Sequence, residues 1–174
     1  CYLDCCDLMY SIIPSAIASM KVNRIGVFAT QATVNSGAYK KELMKYNSAL
    51  EVCELACPDW VPIVESGNYD NPKSIAAVEM HVEEMLKFAP DKIILGCTHY
   101  PYLMSLLTKF APKELFIDPA KIFVEYIKND FESLGLLNNS QTAGYEKMFV
   151  SANPESFTEH SKIFYELHKT PELA

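Results

Sequence analysis

Short apolar runs alternate with amphipathic segments of helical period along most of the chain, and this alternation limits the fold more than any other feature. Arg24–Ala29 (RIGVFA) and Lys92–Leu95 (KIIL) are largely apolar without alternation, as strands buried on both faces are. Between them, Lys73–Phe88 carries apolar residues on one helical stripe. Strands that alternate with helices of this length predict βαβ units and a parallel sheet.

The remaining predicted elements continue the alternation. Asn35–Ser36 provides a helix N-cap, and Leu136–Gly144 (LLNNSQTAG) is a linker candidate because its Asn, Ser and Gly residues favour turns. Further strands are predicted at Leu50–Leu55, Glu114–Ile117 and Met148–Val150. Further helices are predicted at Met9–Met20 (interrupted at Pro14), Ala38–Tyr46, Leu103–Phe110, Ala120–Leu134 and from Pro154 onward. Pro58–Glu65 is predicted to be a loop or short helix that ends at Ser66–Gly67. We therefore expect an α/β fold, a parallel-sheet three-layer sandwich.

Charge and hydropathy argue against several classes of function. The net charge of −7 leaves no basic stripe of the kind that binds nucleic acid. No run of about 18 apolar residues occurs, so we expect no membrane span. The first residues carry no basic segment like that of a signal peptide, and the sequence does not begin with Met, so we expect a fragment or a processed product.

The six cysteines allow three interpretations, namely disulfides, a zinc site or reduced thiols. Hydrophobic residues make up 49% of the chain, enough for a sizeable core, which together with the lack of a secretion signal argues against a disulfide framework. A zinc site would pair Cys1 and Cys5 with Cys53 and Cys57, but the tight, Gly-flanked spacing of zinc knuckles is absent. We expect no metal, mostly reduced core thiols and a cytoplasmic protein.

The stretch Ile93–Leu103 (IILGCTHYPYL) brings a thiol, a hydroxyl and an imidazole together where a buried strand ends. Parallel sheets bind ligands at the carboxyl ends of their strands, and Cys97 follows such an end. We expect a helix to begin near Pro101, so that its free N–H groups and dipole lower the pKa of the Cys97 thiol. With Thr98 they could hold a carboxylate or phosphate, and His99 could transfer a proton near neutral pH.

Each of these residues also has an ordinary structural explanation. A lone Cys after a strand is most often a core residue, while Thr98 and His99 both suit a turn. A thiol hydrolase, with Cys97 as nucleophile and His99 as base, is another hypothesis, although it needs an oxyanion hole and an acyl substrate. The residues alone indicate a candidate site without fixing its reaction.

Four motifs resemble those of bacterial glutamate racemases, in the same order and at similar separations. Leu95–Pro101 (LGCTHYP) is similar to the family's second cysteine motif. Ala32–Tyr39 (ATVNSGAY) resembles its ATV-x-SGAY stretch, and Cys57–Glu65 (CPDWVPIVE) its CP-x-x-VPLVE stretch. Asn153–Phe157 (NPESF) is similar to its late DPESF, so the highly specific resemblance covers the chain from about Ile12 to the end.

The resemblance implies a reaction and roles for individual residues. The family inverts the α-carbon of glutamate without a cofactor, using one cysteine on each face of that carbon. The resemblance implies that Cys97 is one of this pair. His99 would then assist the protonation of Cys97 or contact the substrate ammonium, and Glu65 would interact with His99. Thr98 and His99 would contact substrate, with Thr33 a weaker substrate-side candidate. The D-glutamate formed would supply peptidoglycan synthesis.

The family fold, two α/β domains that face each other across a cleft, implies three parts for this chain. Residues 1–21 would be a helix or linker coming from a missing N-terminal half, and 22–118 the catalytic α/β domain. Residues 119–174 would complete the other domain, and roughly Lys121–Ala174 would then expose apolar surface. The alternative is that this tail refolds onto the remaining sheet.

The departures from the family pattern bear on activity. The family's Asp-Ser pair, its Pro-Tyr-Gly turn and its first cysteine motif, Cys-Asn-Thr, do not occur in the sequence. We therefore expect the chain to be inactive as a racemase by itself, and the intact protein to be a homodimer. Ala29 stands where the family usually has Gly. Asp118–Ala120 (DPA) replaces the commoner DSG, which leaves an anion-binding role for that turn open.

Two further functions stay open at this point. Aspartate or other amino-acid racemases share the two-cysteine layout, but the aspartate enzymes tend to carry Glu where this chain has His99, so His99 favours glutamate. The other hypothesis is a non-catalytic half-domain that binds a small dicarboxylate, because half of the site is missing.

Overall fold

The computed structural model describes residues 13, 16, 17, 20–138, 140, 142 and 144–174. The helix predicted at Met9–Met20 lies mostly outside the described residues, as does the predicted linker over 1–21, and Cys1, Cys5 and Cys6 lie wholly outside them. Two compact units make up the chain, Cys1–Leu136 and Leu137–Ala174. Within the described part, no helix has the length and apolar character needed to cross a membrane.

The first unit alternates strands and helices as predicted. Its strands are β1 (Arg24–Ala29), β2 (Glu51–Ala56), β3 (Lys92–Leu95) and β4 (Phe116–Ile117). Its described helices are α1 (Gln31–Ser36), α2 (Ala38–Tyr46), α3 (Trp60–Ser66), α4 (Pro72–Lys87), α5 (Met104–Leu107) and α6 (Pro119–Ser133), with 3-10 helices at Tyr100–Leu103 and Lys113–Leu115.

The four strands form one parallel sheet in the order β2-β1-β3-β4. The chain runs from β1 outward to β2, then returns past β1 to β3, so the connections diverge between β1 and β3. This divergence is the topological switch point, outside which open α/β sheets bind their ligands. Thr30, Cys57, Cys97 and Asp118 each follow a strand by one or two residues and therefore lie at the same edge.

Helices cover both faces of this sheet. On one face, Ile25 of β1 and Ile94 of β3 join Tyr39 of α2 in one buried cluster. Neighbouring residues of a strand point to opposite faces. Gly26 accordingly lies against α4, where a Cβ would approach the sulfur of Met85 to 2.6 Å. The predicted α/β fold, a parallel sheet between two helical layers, is confirmed.

The cap predicted for the helix Ala38–Tyr46 lies one to two residues too early, because Gly37 is the N-cap of α2, although the Ser36 hydroxyl accepts the Ala38 N–H at 3.2 Å. Asn35 and Ser36 lie inside α1, which Thr30 caps by accepting the Thr33 N–H at 3.3 Å. Gly37 then adopts the left-handed conformation, with φ 60°, and separates α1 from α2. The apolar pattern did not reveal α1 because no residue of that helix is buried.

The helix predicted at Leu103–Phe110 is also shorter than expected. A 3-10 helix comes first, with N–H groups bonding three residues back, from Tyr100 to Cys97 and from Tyr102 to His99, both at 3.1 Å. Pro101 has no N–H to donate, which suits a tight first turn. Only four residues of α-helix follow, so the dipole near Cys97 is that of a short helix.

The second unit contains α7 (Pro154–Ser161) and two parallel strands, β5 (Phe149–Val150) and β6 (Glu172–Leu173). Several of its large apolar side chains are exposed, among them Tyr145 at 91% and Leu173 at 64%. Val124 and Leu134, on or next to α6 in the first unit, are 60% and 62% exposed. The assignment of residues 119–174 to a second domain stays a prediction.

Candidate active site at the carboxyl edge of the sheet

Gly96 lets the chain turn tightly at the end of β3. Its N–H donates to the Phe28 carbonyl at 2.7 Å, which extends the ladder between β1 and β3 by one bond. A Cβ at this position would lie 2.8 Å from the Tyr39 ring and 2.9 Å from the Phe28 oxygen. Only glycine fits this close approach, and the turn then presents Cys97 at the edge.

A thiol, an imidazole and a carboxylate form a row of side-chain contacts at this turn. The sulfur of Cys97 lies 3.9 Å from His99 Nδ1, and His99 Nε2 lies 3.5 Å from Glu65 Oε1. Glu65 comes from the last turn of α3, which ends where Gly67 takes a left-handed conformation. With its proton on Nε2, the ring donates toward Glu65 and leaves Nδ1 to accept from the thiol.

The pKa of Cys97 moves opposite to the sequence-based expectation. Half-burial removes water from the thiolate and raises the pKa of Cys97, while the backbone N–H groups of His99 and Tyr100 lower it by less. The expected helix dipole is weak because the first turn is a 3-10 helix. At neutral pH the thiol therefore keeps its proton.

Among the thiols of the first unit's described part, Cys97 alone combines partial burial with two stabilising backbone donors. Cys57 is buried, and desolvation followed by the charge of Asp59 raises its pKa strongly. Burial and then Glu84 raise the pKa of Cys53, which lies in the middle of β2. Cys57 is a buried core residue, as predicted, and Cys97 is the candidate for chemistry.

The two threonines predicted to contact substrate lie at the same edge. Thr98 is exposed within the turn after β3. Thr33 is half-buried in the first turn of α1, where its hydroxyl lies 3.0 Å from the Thr30 hydroxyl. Since α1 follows β1 and β1 neighbours β3, Thr33 lies at the switch point, on the sheet edge that also carries Cys97. Contact of Thr33 and Thr98 with substrate stays a prediction.

Two aromatic residues that were not predicted as site residues support this edge. Tyr100 is fully buried, and its hydroxyl donates to the Cys57 carbonyl at 2.9 Å. Trp60, at the start of α3, packs edge-on against Tyr100 with ring centroids 4.9 Å apart. The sequence signal was present, since each aromatic residue lies inside a motif segment that follows a strand.

Within the described residues, no group of three or more His, Cys, Asp or Glu side chains is placed to hold a metal ion. A zinc site that joined Cys53 and Cys57 to Cys1 and Cys5 would involve residues outside that part of the chain. The site is thus described by its thiol, imidazole, carboxylate and backbone donors.

The chain is also similar in sequence to known proteins. Residues 11–127 match the model of the Asp/Glu/hydantoin racemase family. A glutamate racemase of Chlorobaculum parvum is 37% identical over 145 residues, which are 83% of this chain and 53% of that protein. One of Trichodesmium erythraeum is 33% identical over 152 residues, 86% of this chain and 56% of the relative. The chain spans about half the length of the curated relatives it matches.

Solved structures show the same relationship. The glutamate racemase RacE1 of Bacillus anthracis superposes with a TM-score of 0.80 at 25% identity, over 96% of this chain and 62% of that one. The glutamate racemase of Francisella tularensis, solved with D-glutamate, gives 0.80 at 25% identity over 95% of this chain and 60% of that one. The resemblance seen in the motifs is confirmed, and this chain belongs to the Asp/Glu/hydantoin racemase family.

Proposed function

We propose that the intact protein containing this chain is a cofactor-independent glutamate racemase, which interconverts L- and D-glutamate. The relatives named above are glutamate racemases, which favours glutamate over aspartate, as His99 does. The observation that carries the proposal is the approach of Cys97 to His99, 3.9 Å from sulfur to Nδ1, beside the switch point of the sheet.

Cys97 has the properties of a proton donor to one face of the α-carbon. The α-proton of an amino acid is a very weak acid, so the carbanion must be reprotonated at once in a site with little water. The raised pKa keeps the thiol protonated until it delivers its proton. The N–H groups of His99 and Tyr100 then stabilise the thiolate that remains.

In the opposite direction Cys97 acts as the base. His99 Nδ1 takes the thiol proton and leaves a thiolate, which can remove the α-proton of the other enantiomer. Glu65, 3.5 Å from Nε2, stabilises the imidazolium formed in this step. Cys97, His99 and Glu65 thus act as one relay on one face of the substrate.

Recognition of glutamate requires donors for two carboxylates. We assign Thr98, in the turn itself, and the backbone N–H groups beside it to one carboxylate, and Thr33 to the substrate side as a weaker contact. The alternative role for His99 is contact of its neutral ring with the substrate ammonium. Hydroxyl and backbone donors suit an anionic amino acid better than an apolar pocket would.

Inversion needs a second base on the opposite face, and the family places it in a cysteine motif that this chain lacks. We therefore propose that the 174-residue chain has no racemase activity by itself. The intact enzyme would work as a homodimer in the cytoplasm and supply D-glutamate for peptidoglycan, which maintains cell shape.

The test is exchange and inversion at the α-carbon. The gene product extended upstream of Cys1 is incubated with L-glutamate in deuterium oxide, and the α-proton signal and optical rotation are followed. We expect turnover that Cys97→Ser abolishes and that the matched variant Cys53→Ser retains. Turnover that survives Cys97→Ser, or turnover of aspartate in preference to glutamate, would contradict the proposal.

The chain by itself gives the companion measurement. We expect no racemisation from the purified 174 residues. A rate that is lost on Cys97→Ser would overturn this expectation and would mean that one cysteine half-site is sufficient.

A second candidate function is a non-catalytic half-site that binds a small dicarboxylate. This candidate is favoured because the chain covers only part of the length of its relatives, 56% for the Trichodesmium protein. Calorimetric titration of the chain with D- and L-glutamate tests it. Binding without turnover in the extended gene product would favour this candidate over the racemase.

A further inference from the structure

Tyr100 joins three strand ends although its side chain takes no part in the proposed proton transfer. Its hydroxyl donates to the Cys57 carbonyl at 2.9 Å in a buried bond. The N–H of Cys57 donates to the Ala29 carbonyl, also at 2.9 Å. The turn after β3 is thereby attached to the end of β2 and, through Cys57, to the end of β1.

The backbone of Tyr100 is part of the turn that carries the thiol. Its N–H donates to the Cys97 carbonyl at 3.1 Å and, with the N–H of His99, stabilises the Cys97 thiolate. The side chain is wholly excluded from solvent, so the ring leaves this peptide little freedom to rotate. A shift of the Tyr100 side chain would redirect the donors that face Cys97.

The ring of Tyr100 also reaches the carboxylate side of the relay. It packs against Trp60 with the ring planes at 65°, and Trp60 begins the short helix α3 that ends with Glu65 and Ser66. The indole N–H of Trp60 is buried without a hydrogen-bond partner among the described residues. Packing, rather than a polar bond of this indole, therefore sets the position of α3 against the turn.

We propose that Tyr100 is a positioning residue, whose hydroxyl on the Cys57 carbonyl sets the Cys97–His99 and His99–Glu65 distances. The consequence for catalysis rests on the proposed racemase function. The geometric claim does not, because the reactivity of Cys97 can be measured without turnover.

The experiment is alkylation of Cys97 by iodoacetamide across a range of pH, followed by mass spectrometry of the peptide that contains it. Tyr100→Phe keeps the ring and removes only the hydroxyl. We expect the rate of alkylation at neutral pH to fall about fivefold, which is the rate ratio that corresponds to the roughly 1 kcal/mol of one lost buried hydrogen bond. The midpoint of the pH profile should rise, because the backbone N–H groups of His99 and Tyr100 are then less well aligned with the Cys97 thiolate and stabilise it less.

Leu107→Val is the matched control, since it destabilises the fold at a buried residue of α5 without removing a polar contact. Its alkylation profile should equal that of the unchanged chain. An unchanged profile in Tyr100→Phe, or the same change in Leu107→Val, would overturn the inference.

Trp60→Phe keeps the proposal testable if Tyr100→Phe does not fold. It preserves the hydroxyl and weakens the ring contact, so we expect a smaller slowing in the same direction, and an unchanged profile would count against the role. If the extended gene product fails to racemise glutamate while Tyr100→Phe still shifts the Cys97 profile, the proposed function fails and the positioning role stands.

Discussion

His99 Nε2 lies 3.5 Å from Glu65 Oε1 and links the turn after β3 to the last turn of α3. In the 174-residue chain the pair is open to water, since the Glu65 side chain is 59% exposed and the His99 side chain 33%. Cys97 approaches the other ring nitrogen, so the imidazole lies between the carboxylate and the thiol. In the proposed proton relay, a screened pair of this kind would tune the rate and would not by itself make the reaction possible.

Glu65→Gln should therefore reduce the rate without abolishing it. The amide oxygen can still accept a hydrogen bond from the Nε2–H group, but the neutral amide cannot stabilise the charge of the imidazolium. We therefore expect kcat to fall about two- to fivefold and KM to change little. Initial rates of the extended gene product measure both constants. Glu84→Gln, which removes an exposed carboxylate paired with Lys87 at 2.6 Å, should leave both constants unchanged. A hundredfold loss would show that the pair is not screened.

Asp91 should make the fold sensitive to acid. Its Oδ2 accepts the N–H of Asn23 at 2.7 Å and of Arg24 at 2.9 Å, and these two bonds hold the pKa of the Asp91 carboxyl below its usual value. A depressed pKa stabilises the fold above the unfolded-state pKa of about 3.9, and this stabilisation is lost as pH falls through the lower folded-state value. We expect Asp91→Asn to lower the urea midpoint at about pH 6 and to weaken its decline below about pH 4.

The control for Asp91 is Asp70→Asn, an exposed carboxylate just before α4. It should leave the acid branch of the stability profile as it is. If both variants flatten the profile equally, the backbone bonds of Asp91 are not the source of the acid dependence.

The sheet could be predicted from the sequence because its two inner strands are apolar on both faces, and a parallel sheet covered by helices buries both faces. Arg24–Ala29 and Lys92–Leu95 form strands with the predicted bounds. The position of Cys97 at the carboxyl edge then follows from parallel pairing alone. The pairing of His99 with Glu65 could not be obtained from periodicity, because the two residues come from separate elements, and only the family resemblance brought them together.

The electrostatics of the thiol could not be predicted in the same way. The direction of the Cys97 pKa depends on how much water the folded edge excludes, and desolvation outweighs the donors of a short 3-10 turn. The bond from Tyr100 to Cys57 likewise depends on the tertiary packing of two loops. Neither quantity is encoded in a local pattern of residue types.

Ala89 stores strain that glycine would release. It follows α4 with φ 50°, a left-handed conformation that costs a residue with a Cβ about 1 kcal/mol or more. We expect Ala89→Gly to raise the free energy of unfolding by about 0.5–1 kcal/mol in urea denaturation, after the greater entropy of the unfolded chain is subtracted. Ala76→Gly, exposed inside the same helix, should lower it by about 1 kcal/mol. Destabilisation by both variants would mean that the strain at Ala89 is negligible.

Gly96→Ala should damage both the fold and the thiol site. Its Cβ would lie 2.8 Å from the Tyr39 ring and 2.9 Å from the Phe28 carbonyl oxygen, and the oxygen cannot move without breaking the sheet. We expect a loss of about 1–3 kcal/mol in urea denaturation, as for overpacked cores, and a changed rate of Cys97 alkylation because the turn must shift. Gly144→Ala meets nothing within 4 Å and should stay within about 0.5 kcal/mol. Equal free energies of unfolding for the two variants would show that the sheet edge can accommodate a methyl group at Gly96. An unchanged rate of Cys97 alkylation in Gly96→Ala would show that the turn does not depend on this close approach.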